Sequence, residues 1–297
     1  FIGSHVCERL LDRGNGVVCV DNFNDYYDPS RKEKNVKQAL KNKNCVLYRK
    51  DITDYDSLQE VFEKEHPDKI IHLAARAGVR YSILQPELYT KVNVLGTLNL
   101  LELSKKFNIK KFVFGSSSSV YGKNKKVPFS EKDNVDNPIS PYAANKKAGE
   151  ELCYAYHHLF GLNIVCLRFF TVYGPRGRPD MAPFLFTDWI NKGKTLKRFG
   201  DGTSKRDYTF VTDIVDGVLA SLDKDLDFEI INLGDSNTVE LNYFISLIEK
   251  ALGKKAKVVQ HPEQPGDVPV TFADITKAKK LLGYEPKVKI EEGIKKF

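Results

Sequence analysis

Residues 1–21 have the sequence FIGSHVCERLLDRGNGVVCVD. Ser4 to Arg13 carries the apolar spacing of an amphipathic helix, and the run Val17–Val20 is typical of a short buried strand. The strand ends at Asp21. Ligands of parallel α/β sheets bind at the carboxyl ends of the strands, so this segment predicts a sheet edge with a carboxylate at a ligand position.

The same alternation continues outward along the chain. Further apolar runs predict strands at 45–48, 69–73, 112–114 and 164–167. Amphipathic stretches predict helices at 57–66, 86–107 and 141–160. Strands that alternate with helices form βαβ units, whose right-handed crossovers build a parallel sheet with helices on both faces. We therefore predict an α/β fold with a doubly wound parallel sheet.

The pattern changes at the loop Gly174–Pro179, which is rich in glycine, proline and arginine. Short mixed elements and polar turns follow it, without repeats or low-complexity tracts. We predict a first domain over 1–173, rejoined by about 205–235. The segments 174–204 and 236–297 are predicted to form a smaller, substrate-binding subdomain.

The composition is that of an ordinary globular protein, with 297 residues, 41% of them hydrophobic and 29% charged. No uninterrupted run of about 18 apolar residues is present, so we predict no membrane span. The net charge is +7, but no stripe of basic and aromatic residues accompanies it, so nucleic acid is not an expected partner.

The positions of the cysteines and histidines argue against a disulfide-bonded protein and against a metal-binding protein. The five cysteines lie in apolar runs without a C-x-x-C pair, which indicates free thiols in a reducing cytoplasm. The six histidines form neither an H-E-x-x-H motif nor a cluster with cysteine, so no metal site is predicted.

Asp21 is a candidate ligand for a nucleotide. Its carboxylate could accept hydrogen bonds from both hydroxyls of an adenosine ribose, and its charge would repel a 2′-phosphate. Gly3, at the start of a predicted helix, could be the last glycine of a phosphate-binding loop. The alternative interpretation of Asp21 is an aspartate that only forms a turn.

Tyr142 and Lys146 are candidates for acid–base chemistry. They are four residues apart on a predicted helix, so their side chains lie on one face. A nearby ammonium would lower the pKa of the phenol and make it usable as a general acid and base. Ser116 to Ser119 follow a predicted strand and could hydrogen-bond a substrate hydroxyl and the tyrosine oxygen. The alternatives are an unremarkable surface pair and a serine-rich turn.

Several motifs occur in a recognisable order along the chain: FIGSH at 1–5, HLAA at 72–75, NVLGT at 93–97, Ser117, YAANK at 142–146 and RDY at 206–208. With these motifs the chain resembles the extended short-chain dehydrogenases/reductases of the nucleotide-sugar epimerase and dehydratase group. The resemblance covers the whole chain and implies a Rossmann fold with a smaller C-terminal subdomain for the nucleotide sugar. The glycine loop of that family starts before Phe1, so we expect the first strand to be missing from this chain and its binding of NAD to be weak.

The resemblance implies NAD as the cofactor, with Tyr142, Lys146 and Ser117 as the catalytic residues. The implied cofactor-binding residues are Phe1, Ile2 and Gly3 at the pyrophosphate, Asp21 and Asn22 at the adenosine ribose, Asp51 and Ile52 at adenine, Leu73, Ala74, Ala75 and Asn93 along the dinucleotide groove, and Tyr142, Lys146 and Phe169 near the nicotinamide ribose, with Phe170 close by.

The resemblance also implies a UDP-sugar as the substrate. The implied substrate-binding residues are Ser118, Ser119, Thr171, Arg178, Phe199, Arg206 and Asp267. Phe199 would stack on uracil and Arg206 would pair with the diphosphate. Asp267 would bind the uridine ribose.

Within the family the chain resembles the UDP-glucuronate 4-epimerases. The 4,6-dehydratases usually carry Asp-Glu where this chain has Ser118 and Ser119. Thr171 and Gln264 replace the Asn and Arg of hexose 4-epimerases, and Arg178-Pro-Asp-Met-Ala is the most specific match. Oxidation at C4 turns a uronate into a β-keto acid, and Arg178 could hold its carboxylate away from the geometry that releases carbon dioxide.

The implied reaction converts UDP-glucuronate to UDP-galacturonate by transient oxidation at C4 and return of hydride to the opposite face. The alternatives are a UDP-glucuronate decarboxylase, a UDP-galactose 4-epimerase and a non-catalytic NAD-binding protein. Relatives commonly dimerise through helices equivalent to 86–107 and 141–160, so we expect a homodimer.

Overall fold

The computed structural model describes residues 1–263 and 268–297. Its α-helices are α1 (Ile2–Asp12), α2 (Pro29–Val36), α3 (Tyr55–Glu65), α4 (Val79–Leu84), α5 (Pro86–Thr90), α6 (Gly96–Lys106), α7 (Pro141–Phe160), α8 (Ala182–Asn191), α9 (Val211–Asp223), α10 (Leu241–Leu252), α11 (Thr276–Leu282) and α12 (Ile290–Lys296). Its strands are β1 (Val17–Val20), β2 (Cys45–Tyr48), β3 (Lys69–His72), β4 (Lys111–Ser117), β5 (Ile164–Phe169), β6 (Thr171–Tyr173), β7 (Thr195–Phe199), β8 (Lys205–Phe210), β9 (Phe228–Leu233), β10 (Thr238–Glu240) and β11 (Lys257–His261). None of the described helices is both long enough and apolar enough to cross a membrane.

The centre of the fold is a parallel sheet with the strand order β3-β4-β5-β9. All residues of β4 are buried, because their side chains alternate between two hydrophobic clusters on opposite faces. Phe112 and Phe114 join the cluster that contains Cys153 of α7, whereas Val113 joins the cluster that contains Ile214 of α9. β1 and β2 form a separate parallel pair. These parallel strands, covered by helices, confirm the predicted α/β class and doubly wound sheet.

The helix predicted at 86–107 is interrupted by a wider turn. α5 runs into a π-helical turn at Lys91–Leu95 before α6 begins. The turn places Asn93 inside the protein, where its side chain accepts from Arg76 N at 2.7 Å and donates to Arg76 O at 2.9 Å. Apolar periodicity does not reveal such a turn, because the turn is stabilised by hydrogen bonds to a distant loop.

The later part of the chain forms two smaller sheets. β8 lies between β6 and β10, and β7 pairs with β11 in parallel register. β9 returns to the main sheet, next to β5. The exact division into domains stays a prediction.

One hydrophobic core joins the main sheet to this later part. Val113 and Leu167 of the sheet belong to the same buried cluster as Phe210, Val239 and Phe244. The two parts therefore pack as one unit.

Asp207 of β8 connects two loops in the later part of the chain. It is fully buried, and its carboxylate accepts hydrogen bonds from the backbone of Asp235 at 2.8 Å and of Ser236 and Ala273 at 3.1 Å. Burial raises the pKa of Asp207 to about 6, although these hydrogen bonds oppose the shift. Burial, together with the charge of Asp207, raises the pKa of Asp235 to about 7.

We expect Asp207 and Asp235 to destabilise the fold less at pH 5.5 than at pH 8. The folded state binds protons on these aspartates more tightly than the unfolded chain does, so their contribution falls as the pH rises from about 4 to 7. The Asp235→Asn variant removes one of the two charges and should raise Tm at pH 8 by roughly 2–4 °C. It should also flatten the pH dependence of Tm measured by calorimetry. An unchanged pH profile in this variant would contradict the assignment.

Candidate active site

Tyr142 and Lys146 are positioned by the start of α7. The Ser140 side chain caps the helix by accepting from Ala143 N at 3.1 Å, and Pro141 occupies the first helical position. Tyr142 therefore lies in the first turn, and Lys146 lies one turn later on the same face, as the sequence predicts.

Ser117 lies at the carboxyl end of β4, facing this helix. Its Oγ accepts from Ser119 N at 3.2 Å and donates to Ser119 Oγ at 3.1 Å. Ser117 also lies near enough to the hydroxyl of Tyr142 to lower its pKa. The structure therefore brings the predicted serine and tyrosine into contact.

The ammonium of Lys146 contacts the backbone of β4. Nζ donates to Gly115 O at 2.6 Å and lies 5.1 Å from the centroid of the Phe114 ring. Burial lowers the pKa of Lys146 to about 8, although Glu150 opposes that shift. The carbonyl of Gly115 fixes the direction of the side chain.

Burial raises the pKa of Tyr142 above its ordinary value. The Ser117 hydroxyl and the positive charge of Arg178 lower this pKa, but they do not offset the effect of burial. The sequence-based expectation that Lys146 lowers the pKa of the phenol is therefore wrong for this structure. Lys146 faces the Gly115 carbonyl, and the cation that acts on Tyr142 is Arg178.

Asp21 lies exposed at the end of β1, where it also forms a turn. Its Oδ1 accepts from Phe23 N at 2.7 Å, so the turn-forming role left open by the sequence is present. Asn22 donates to Asp51 Oδ2 at 2.7 Å, and Asp51 Oδ1 accepts from Thr53 N at 2.8 Å. Burial raises the pKa of Asp51, but the hydrogen bonds from Thr53 and Asn22 outweigh it, and the net pKa is lowered. The ends of β1 and β2 are thus held together.

Small and apolar residues line the groove next to these carboxylates. Leu73, Ala74 and Ala75 follow β3, and a Cβ on Gly3 would lie 4.0 Å from Leu73 Cδ1. Ile52 is buried against Gly96, where an added Cβ would come within 2.5 Å of it. The groove therefore has the carboxylate of Asp21 at one edge and apolar side chains along its wall.

Arg178 lies deep on the other side of the site, paired with a carboxylate of its own loop. Its Nε donates to Asp180 Oδ1 at 3.0 Å, and its Nη2 donates to Asp180 Oδ2. The hydroxyl of Tyr26 donates to the same Oδ2 at 3.1 Å. The sequence predicted that Arg178 would bind a substrate carboxylate through two nitrogen atoms. In this structure the carboxylate of Asp180 accepts these two hydrogen bonds.

The remaining predicted substrate residues lie around the mouth of the site. The guanidinium of Arg80 lies 5.1 Å from the centroid of the Phe199 ring. Arg206 is half-buried and donates to Lys205 O at 3.0 Å. Thr171 begins β6. Asp267 and Gln264 lie outside the described residues.

One cavity of about 1450 Å³ brings most of the predicted site together. The predicted residues that line it are Phe1, Ile2, Gly3, Asp21, Asn22, Ile52, Leu73, Ala74, Ala75, Ser117, Ser118, Ser119, Tyr142, Lys146, Phe169, Thr171, Arg178, Phe199 and Arg206. Asp51 and Asn93 do not line it and instead support its walls through hydrogen bonds. Among the described residues, no group of His, Cys, Asp and Glu could hold a metal ion.

Several polar residues that also line the cavity were given no role from the sequence, among them Tyr26, Lys32, Arg76 and Asp180. The loop that follows Asp21, NFNDYYDPSRK, carried a usable signal because polar and aromatic residues follow a strand at its ligand-binding end. Asp180 lies within the Arg178-Pro-Asp-Met-Ala motif, but only the fold shows that it pairs with Arg178.

A doubly wound sheet with a carboxylate after β1 and a Ser–Tyr–Lys group at β4 and α7 defines a short-chain dehydrogenase/reductase of the extended type. The model of the GDP-mannose 4,6 dehydratase family matches residues 1–297, and the chain belongs to this family. The name of the family does not determine which reaction a member catalyses. The relatives described next are named as epimerases and not as dehydratases.

Several relatives are named UDP-glucuronate 4-epimerases. One, from Thermodesulfobacterium geofontis, is 50% identical over 297 residues, which cover 100% of this chain and 91% of that protein. UDP-glucuronate 4-epimerase 4 of Arabidopsis thaliana is 44% identical, over 100% of this chain and 72% of the plant protein. The solved UDP-glucuronic acid 4-epimerase of Bacillus cereus, in complex with UDP-glucuronic acid and NAD, has a TM-score of 0.94 and 38% identity, over 100% of this chain and 94% of that one.

Proposed function

We propose that this protein is an NAD-dependent UDP-glucuronate 4-epimerase, which interconverts UDP-glucuronate and UDP-galacturonate. The observation that carries the proposal is the single cavity that joins the edge at Asp21, the Ser117–Tyr142 pair and Arg178. The full-length similarity to proteins with this activity supports the choice of substrate.

The residues of the groove fit a dinucleotide. Asp21 offers an exposed carboxylate for ribose hydroxyls and favours NAD over a cofactor with a 2′-phosphate. Ile52 offers an apolar surface for adenine, and the small side chains of Ala74 and Ala75 leave room along the groove. Bound in this groove, NAD would supply a reversible acceptor for the C4 hydride, with no net oxidation of the sugar.

The residues of this chain move the proton. Tyr142, as the phenolate, takes the proton of the sugar 4-hydroxyl and gives it back after the ring has turned over. Ser117 lies beside the phenol and lowers its pKa, which favours the phenolate. Arg178 stabilises the phenolate electrostatically, which partly compensates for the burial of Tyr142. Lys146, fixed by Gly115 O, supplies a cation at the floor of the site.

The orientation of the substrate carboxylate must be fixed, because a 4-keto uronate is a β-keto acid. It loses carbon dioxide when the carboxylate stands perpendicular to the carbonyl plane. Arg178 can hold a carboxylate at two points, as its contact with Asp180 demonstrates. Thr171 and Ser119 add hydroxyl donors in the same cavity.

The proposal is tested by incubating the purified protein with UDP-glucuronate and NAD. Chromatography with mass detection separates the three relevant outcomes. We expect UDP-galacturonate to accumulate to equilibrium without net NADH. UDP-xylose as the main product would make the protein a decarboxylase. Turnover of UDP-galactose but not of UDP-glucuronate would make it a hexose epimerase.

Replacing Arg178 with Gln should change the product as well as the rate. We expect kcat/KM for UDP-glucuronate to fall by about 10- to 100-fold, because a charge-assisted two-point contact is lost. The fraction of decarboxylated product should rise, since the carboxylate is no longer oriented. The matched control is Arg206→Gln, which should raise KM without altering the product ratio. Equal product ratios in both variants would contradict the role given to Arg178.

We also propose that the protein is a cytoplasmic homodimer. Apolar side chains at Leu95, before α6, and at Leu159 of α7 are 40% and 66% exposed, which supports pairing through these helices. The five free cysteines are compatible with a reducing compartment. Light scattering should give twice the 33.7 kDa of one chain, and Leu159→Lys should shift the mass toward the monomer.

The boundaries of the two parts are proposed as stated from the sequence. The first domain covers 1–173 and about 205–235, and the sugar-binding subdomain covers 174–204 and 236–297. We further propose Asp267 as the ligand of the uridine ribose. Asp267→Asn should raise KM for the UDP-sugar while leaving kcat within about threefold.

A further inference from the structure

The thiols of Cys7 and Cys19 form a close pair between α1 and β1. Cys7 lies on α1, four residues after Gly3, and Cys19 lies on β1, two residues before Asp21. Their Sγ atoms are 3.2 Å apart, and both residues are half-buried. We propose that the pair is an oxidation site, at which hydrogen peroxide converts the two thiols into a Cys7–Cys19 disulfide.

The contact between the two sulfur atoms determines which thiol reacts first. The hydrogen bond with Cys19 lowers the pKa of Cys7, whereas the same bond and burial raise the pKa of Cys19. The thiolate is the nucleophilic form of cysteine, so Cys7 is the attacking residue and Cys19 the resolving residue.

The chemistry balances with one peroxide. The Cys7 thiolate attacks one peroxide oxygen, the O–O bond breaks, and Cys7 becomes a sulfenic acid. The hydroxide that leaves takes up the proton lost by the Cys7 thiol and becomes the first water. The Cys19 sulfur then attacks the Cys7 sulfur, the S–O bond breaks, and a second water leaves. Two thiols are oxidised, and one peroxide is reduced to two waters.

The other cysteines provide internal comparisons. Cys45 also contacts Cys19, but it lies on the neighbouring strand opposite Val17, so a link to it would run diagonally within the β1–β2 pair. Cys153 and Cys166 form a second contacting pair, yet both are 0% exposed in the core. The two thiols of that pair lie close together but are not accessible to solvent, so we expect them to stay reduced.

The disulfide would act on the proposed cofactor site, and this step rests on the proposed function. An S–S bond is about 2.05 Å long, so the sulfur atoms must approach by about 1 Å and adopt a dihedral near 90°. The first turn of α1 and Asp21 flank the pair and both border the cavity. Because a misplacement of about 1 Å can cost up to 100-fold, we expect oxidation to lower kcat/KM by about tenfold.

The test exposes reduced protein to increasing hydrogen peroxide, blocks the remaining thiols with iodoacetamide and maps peptides by mass spectrometry. We expect a Cys7–Cys19 linked peptide, lighter by two hydrogens, at doses that leave Cys153 and Cys166 open to alkylation after unfolding. Cys7→Ser should abolish the linked peptide, and Cys45→Ser should retain it. Absence of the Cys7–Cys19 peptide, or a predominant Cys19–Cys45 peptide, would overturn the proposal.

Activity is measured on the same samples. Wild type should lose about tenfold and recover with dithiothreitol, while Cys7→Ser should start near wild-type activity and resist peroxide. A complete cross-link with unchanged activity would overturn the effect on the site. If the protein did not turn over UDP-glucuronate at all, the peptide map would still decide the oxidation site, so the two failures are distinguishable.

Discussion

The Tyr142→Phe variant is expected to lower kcat for interconversion of UDP-glucuronate and UDP-galacturonate by about 1000-fold. The phenol is the only group in contact with Ser117 that the proposed mechanism gives a proton-transfer role. Phenylalanine keeps the ring and its edge contact with Tyr89, whose centroid is 6.4 Å away. We therefore expect Kd for the UDP-sugar, measured by calorimetry, to stay within about threefold.

The matched control is Tyr26→Phe, which removes another phenolic hydroxyl from the same cavity. Tyr26 contacts Asp180 and is given no proton-transfer step, so its loss should cost less than about tenfold in kcat. Near-normal turnover by Tyr142→Phe, or similar losses in both variants, would contradict the assigned base. Because burial raises the pKa of Tyr142, we also expect wild-type kcat to rise with pH through neutrality.

The Arg168→Met variant is expected to lower the free energy of unfolding by about 3–5 kcal/mol. Arg168 and Glu150 are both about 1% exposed, and Arg168 donates through Nε at 2.9 Å and through Nη2 at 2.7 Å to the two carboxylate oxygens. Removing the cation leaves a buried carboxylate that keeps the hydrogen bond from Ser116 Oγ at 2.6 Å. Urea denaturation followed by circular dichroism measures the loss.

Two further variants distinguish a buried charge from a lost contact. The double variant Arg168→Met/Glu150→Leu removes both charges and should regain most of the stability. Arg9→Met breaks an exposed pair with Asp216, whose side chains are 43% and 48% exposed, and should cost under about 1 kcal/mol. A loss in Arg168→Met no larger than that in Arg9→Met would contradict the explanation.

Local patterns predict this fold well where one element decides its own structure. The strand 17–20 and the helix 141–160 have the predicted bounds, because β-branched residues, a serine cap, a proline and a terminal glycine act within a few residues. The turn at Lys91–Leu95 was not predictable in this way, since it depends on bonds between Asn93 and Arg76.

The site follows the same rule. Motif order placed Ser117, Tyr142 and Lys146 correctly on one strand end and one helix face. It did not show which groups the charged side chains contact. Lys146 donates to Gly115 O and Arg178 pairs with Asp180, and both contacts depend on the fold. Distances between charges are set by tertiary packing, and spacing along the chain carries little information about them.

The hydrophobic core shared by the main sheet and the later part of the chain limits how this protein can be recombined with its relatives. Val113 of the sheet and Phe244 of α10 belong to one buried cluster, so a later part of the chain taken from another protein would meet an unmatched surface. Changes of sugar preference are therefore best engineered by substitutions at the cavity wall. A chimaera would have to carry both sides of the core from the same parent.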